Sequence, residues 1–155
     1  MNNPLPGDFS AIRLNRTLHG RSVYRKRDVP GHNCIVGYNT PGKGDGLDLF
    51  LPAGTPVYSM HEGKVTRLFG KGGLLEGIYL WNGKTGADSV LTVYAHLNLK
   101  SHIAVGSHVY AAQTIGYIGR KLKDPHLHLE AWIGGKSLAG NTAHRLRDKI
   151  RGLLL

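Results

Sequence analysis

The run His126-Leu127-His128-Leu129-Glu130 sets two imidazoles and a carboxylate at alternate positions. In a strand, side chains two apart share a face, so His126, His128 and Glu130 point together while Leu127 and Leu129 point into a core. Two imidazoles on one face suit a metal ion, or one metal ligand beside one proton carrier; a pair of surface histidines has the same spacing. A third histidine, His96 in Tyr94-Ala95-His96-Leu97, is open to a catalytic role and to that of a hydrogen-bonded structural residue. Asp48 stands between Leu47 and Leu49. An unpaired buried carboxylate is costly, so this acid needs a partner, which either a metal or a turn of backbone amides supplies. Cys34, the single cysteine, excludes an internal disulfide and is read as a small buried apolar residue or a metal ligand.

Positioning such groups calls for short, regular elements. The 22 glycines in 155 residues imply many tight turns and close backbone approaches, which favours strands over long helices. Strand-type runs are expected over 56–69 (turning at Glu62-Gly63), 77–81, 89–98, 108–119 and 126–133, with a hairpin about Asn82-Gly83-Lys84 and a turn at Gly134-Gly135. In the third run Leu91, Val93, Ala95 and Leu97 alternate with Thr92, Tyr94, His96 and Asn98, which predicts an apolar core face and a polar face. Residues 1–30 are polar and basic, broken by prolines, and read as an arm. Over 139–155, Leu146, Ile150, Leu153 and Leu154 recur at helical spacing behind a cap at Asn141 or Thr142. That stripe predicts a short amphipathic helix packed on the domain or on a partner. The fold class expected is all-β, mainly antiparallel, with this one C-terminal helix, and the domain is placed at 31–138.

Taken together, these segments resemble the LytM/lysostaphin zinc metallopeptidases, of the duplicated-hybrid-motif type. Gly44-Asp45-Gly46-Leu47-Asp48 followed by Pro52-Ala53-Gly54-Thr55-Pro56-Val57-Tyr58 is similar to their first motif, and Tyr94-Ala95-His96-Leu97 to the middle one. Val105-Gly106-Ser107-His108-Val109 with Gln113-Thr114-Ile115-Gly116 resembles the segment that follows, and Pro125-His126-Leu127-His128-Leu129-Glu130 the last motif. The resemblance runs from about residue 40 to 136, in the same order. It implies an antiparallel β-sheet with a narrow groove, zinc held by Asp48 and His128, and His96 and His126 flanking the attacking water. Tyr94 and Glu130 are expected to border the substrate groove. The family's first ligand is a histidine four residues before the aspartate, and here that position is Gly44. Catalytic zinc normally takes three protein ligands, so the set is incomplete unless Asp45 or His32 substitutes, with His61 a further histidine able to fold in. The basic run Gly119-Arg120-Lys121-Leu122-Lys123-Asp124 stands where the family carries small and hydroxyl residues, making the groove rim positive.

The implied activity is zinc-dependent cleavage of short peptide cross-links of bacterial peptidoglycan; the alternative is a catalytically inactive module that docks a partner in a virion or cell envelope. The net charge of +10 predicts attraction to a polyanion. The basic clusters Arg21, Arg25, Lys26, Arg27 and Arg145, Arg147, Lys149, Arg151 lack the interleaved aromatics of a single-strand binding groove, so no specific nucleic acid is expected. No window is apolar enough for a membrane span, and the N-terminus lacks the pattern of a signal peptide. The expected setting is a virion-associated or lysis component, cytoplasmic until released, whose partners are cell-wall peptide or polymer and other virion or envelope proteins.

Overall fold

Short apolar runs divided by glycine turns fold as strands. A computed structural model of the chain describes residues 2, 4–6, 13–18, 21–25, 47–49 and 51–137, with backbone alone at 13–18, 21–25, 47 and 136–137. The strands are β1 (Arg13–Leu18), β2 (Arg21–Arg25), β3 (Leu47–Leu49), β4 (Pro56–Tyr58), β5 (Gly63–Phe69) and β6 (Gly77–Trp81), then β7 (Val90–Ala95), β8 (Leu97–Leu99), β9 (His108–Val109), β10 (Thr114–Ile118), β11 (Leu127–Ile133) and β12 (Lys136–Ser137). Among the described residues a single 3-10 turn, Gly86–Asp88, is the one helical element, and no helix is long and apolar enough to cross a membrane. The expected helix at 139–155 and Cys34 lie outside the described residues.

Among the described residues, the strands pair into two sheets. The larger runs β1-β2-β3-β11-β7-β6-β5-β9 with β12 added to β11, and the smaller runs β4-β10-β8. Every pairing is antiparallel except that of β2 with β3. Within the stretch read as a basic arm, β1 and β2 thus form a hairpin whose second strand lies beside β3, Val23 opposite Asp48. The core draws on both sheets: Val57 and Ile115 from the smaller, Val65, Ile78, Leu80, Leu127 and Leu129 from the larger, all fully buried. Each such Leu, Ile or Val contributes about 1.5–3 kcal/mol by leaving water. Close approach of β6 to β7 requires Gly77, because a Cβ there would lie 2.1 Å from the Tyr94 carbonyl oxygen.

Alternation on β7 has the opposite sense to the one expected. Register pairs Tyr94 with Leu129 and Thr92 with Ala131, whereas Ala95 faces His128 and Val93 faces Glu130. Paired residues share a face, so Thr92 and Tyr94 turn into the core, and Val93 and Ala95 share the face of the site. Both are tolerated inside because their hydroxyls are satisfied: the Tyr94 oxygen accepts the Met60 N–H at 2.9 Å and lies 3.1 Å from the Thr92 hydroxyl. Tyr94 is therefore a core residue at 0% exposure and does not border a groove. Burial pushes its phenol up to about 12, against the smaller pull of those hydrogen bonds, so it stays neutral.

Candidate active site

Strand β3 has three residues, and its pairing with β11 sets Asp48 directly opposite His128. Both side chains leave the same face, and Asp48 Oδ1 lies 3.0 Å from His128 Nδ1. The other nitrogen of that ring, Nε2, is 2.9 Å from Glu130 Oε1, while Glu130 Oε2 accepts the indole N–H of Trp132 at 3.0 Å. His126 Nε2 approaches Asp48 Oδ1 at 3.6 Å. The alternation His126, His128, Glu130, Trp132 along one face thus becomes a layered polar cluster. These four and Asp48 are all buried, Glu130 at 0% exposure. Glu130 accordingly lies behind His128 and, like Tyr94, borders no groove. There it accepts from His128 and so orients the ring. Burial alone would lower the pKa of His128, but hydrogen bonds to the two carboxylates outweigh it and push the ring up to about 9. Two buried carboxylates here demand a cation, whether imidazolium or metal.

His96 reaches this cluster by breaking its strand. It falls between β7 and β8 with φ 66°, the left-handed region that a histidine enters at a cost of about 1–2 kcal/mol. Continued extension would send its ring to the Tyr94 face. Instead the ring meets that of His126, centroids 4.5 Å apart, and that of His128 at 6.2 Å. Each of the two flanking histidines is fixed by a carbonyl, His96 Nδ1 2.8 Å from the Leu74 oxygen and His126 Nδ1 2.8 Å from the Asp124 oxygen. A carbonyl only accepts, so Nδ1 carries the hydrogen in both and Nε2 is the nitrogen that exchanges a proton. Gly119 is held by its N–H to the His96 carbonyl at 2.9 Å, and a Cβ there would come within 3.1 Å of that oxygen.

The loop that orients His96 depends on Glu76. Its two carboxylate oxygens accept the N–H of Gly72 at 2.8 Å and of Leu99 at 2.7 Å, tying the loop carrying Leu74 to β8. Beside His96 opens a cleft of about 480 Å³ walled by Gly54, Gly72, Gly73, Asn98, Tyr117 and Arg120 among others. Glu76 escapes a reading of the sequence, because Leu75-Glu76-Gly77 gives it one apolar neighbour, itself exposed, and its bonding partners come from a loop and from β8.

Asp48, His96, His126 and His128 are therefore brought together, while Gly44, Asp45 and His32 lie outside the described residues. His61 is held elsewhere, Nε2 2.9 Å from the Thr92 hydroxyl and Nδ1 2.8 Å from the Glu62 carbonyl. The donor chemistry fits zinc at two positions: a carboxylate oxygen and an imidazole nitrogen converge, with Glu130 on the far nitrogen as ligating histidines usually require. Among the described residues no third His, Cys, Asp or Glu completes the set.

A mainly antiparallel β fold that clusters three histidines and a carboxylate, one of those histidines lining a cleft, has the donors of a metal-assisted hydrolase. The chain belongs to peptidase family M23, whose model matches residues 42–139. It is 37% identical over 93 residues to the DD-carboxypeptidase/endopeptidase Mpg of Neisseria meningitidis, a stretch making up 59% of this chain and 20% of that protein. The chain thus matches about a fifth of the length of that curated relative. Among solved structures it is similar to lysostaphin, the antimicrobial peptidase from Staphylococcus simulans (27% identity, TM-score 0.50, 68% of this chain and 50% of that one). The catalytic domain of the prophage-encoded M23 protein EnpA from Enterococcus faecalis shares the fold at 20% identity and TM-score 0.53, covering 89% of this chain and 95% of that one.

Proposed function

We propose that the chain is a peptidoglycan-directed zinc endopeptidase domain cutting short peptide cross-links. The observation that carries this reading is the pair His96 and His126, rings 4.5 Å apart, each with Nδ1 held by a carbonyl, beside the Asp48–His128 pair. Asp48 and His128 would hold the metal, with the third ligand drawn from Asp45 or His32. Bound zinc supplies a Lewis acid that polarises a carbonyl and acidifies a water. One of the two flanking histidines, neutral, takes the proton of the attacking water at Nε2; the other, protonated, stabilises the developing oxyanion or returns a proton to the leaving amine. Glu130 holds the His128 ring in place through Nε2. The Neisseria relative, named a carboxypeptidase/endopeptidase, supports a peptide substrate of the cell wall.

The second reading, an inactive docking module, is favoured by one feature: Gly44 offers no side chain where the family's first histidine belongs. We extend either reading to a virion-associated or lysis setting, where a net charge of +10 suits an anionic wall; recovery of the protein from purified particles checks this. The test of the peptidase reading is zinc content with cleavage of purified peptidoglycan. Near one zinc per chain, lost in His128→Ala, together with cleavage abolished by a chelator and restored by zinc, supports the enzyme. No zinc uptake and no cleavage in excess metal sinks it in favour of the docking module.

A further inference from the structure

We propose that the cleft beside His96 selects peptides carrying a free carboxylate, held by Arg120 and Lys121 at its rim. This deepens the peptidase reading and rests on it for where cleavage occurs, though not for binding. The argument begins with the charged side chains lining the cleft, which apart from His96 are Glu76, Arg120 and Lys121. Glu76 is nearly buried, and both of its oxygens accept backbone N–H groups, from Gly72 and Leu99. Those bonds hold its carboxylate at the loop, away from free rotation toward the cations. Among the described residues neither Arg120 nor Lys121 joins an ion pair, and both are exposed. Among the described residues the cleft thus carries two cations against one carboxylate, an excess of positive charge beside His96.

The backbone leading to Arg120 is held in place. Ile118 pairs with Leu97, the Gly119 N–H is bonded to the His96 carbonyl, and the Gly54 N–H is bonded to the Ile118 carbonyl at 2.8 Å. The guanidinium reaches over the Gly54 turn, its Nη2 3.9 Å from the point a Cβ at Gly54 would occupy. A planar fork of donors anchored at one end of a cleft matches the two oxygens of a carboxylate. The walls favour a peptide over a charged polymer. Gly54, Gly72 and Gly73 line the cleft without side chains, leaving room for an extended backbone, and its cations are two neighbours in sequence, Arg120 and Lys121, rather than a track. A single C-terminal carboxylate answers that arrangement, whereas a polyanion needs charge along its length.

The experiment compares a glycine- and alanine-containing tetrapeptide acid with its C-terminal amide, using the full chain. Binding is measured by calorimetry and cleavage by chromatography. The acid is expected to bind about 10-fold more tightly at low salt, with the difference shrinking as salt rises. Arg120→Ala with Lys121→Ala should bring the acid down to the affinity of the amide and leave the amide unchanged, and Arg120→Glu should reverse the preference. Equal binding of acid and amide, a preference surviving in the double variant, or no binding of either overturns the proposal. So does polyglutamate displacing acid and amide alike, which would mark the rim as a polymer site. Cleavage of both peptides without preference defeats this inference and leaves the peptidase reading standing. An Arg120-dependent preference in binding without cleavage does the reverse.

Discussion

A buried histidine on β11 and a half-buried one in the bend between β4 and β5 answer desolvation in opposite ways. The first, His128, lies between Asp48 and Glu130 and is pushed up to about 9. The second, His61, contacts a hydroxyl and a carbonyl, and burial lowers its pKa. Neutral partners satisfy a neutral ring, and the chain His61, Thr92, Tyr94 and Met60 N–H closes upon itself as a structural network. His128 instead stands between two carboxylates, so the charge of the first cluster is met by an imidazolium or a metal ion, which makes it a place for a cation. Histidine burial therefore marks a site when the partners are acids, and a support when they are not.

The contrast breaks most sharply in catalysis. His96→Ala or His126→Ala should lower peptidoglycan cleavage by about 10²–10⁴-fold, while His61→Gln leaves it within about twofold; an equal loss in all three would erase the distinction. Next in size is a pH effect in the chelated protein. The folded-state pKa of His128 lies above its ordinary value, so its stabilisation is complete below pH 6.5 and disappears as pH rises through about 9. On the order of a few kcal/mol should be lost across that window, read from melting curves, and the loss should be absent in His128→Gln. Glu130→Gln, which weakens the acceptor orienting the His128 ring, should reduce zinc affinity by about 10–100-fold in competition with a chromogenic chelator.

In the structural network, Tyr94→Phe leaves the Met60 N–H without its acceptor and should cost about 1–3 kcal/mol in denaturant unfolding. Zinc affinity and the preference between acid and amide peptides should not move. The smallest effect expected is on the acid side. The His61 pKa is lowered, so the folded state resists its protonation and stability falls as pH drops below 6.5. His61→Gln should flatten that limb and leave the alkaline one intact.

The amino-acid sequence by itself determined the all-β class, the approximate strands, and the four residues Asp48, His96, His126 and His128 that meet in space. Period-2 spacing around Leu127 and Leu129 was enough to put His128 and Glu130 together, because adjacent residues on a strand cannot share a face. It also carried the misassignment of Tyr94 and Glu130 to a groove. Alternation says that two faces differ, but which face meets water depends on what the rest of the chain lays over each. Only the tertiary structure decided that Thr92 and Tyr94 turn inward, since their hydroxyl partners come from residues such as Met60 and His61, about thirty positions away. It alone decided that Asp48 meets His128 across the β3–β11 pairing. And a single left-handed residue, His96, swings a ring from the core face to the site, a local choice that no periodicity records, because it is held by the Leu74 carbonyl 22 residues earlier in the chain.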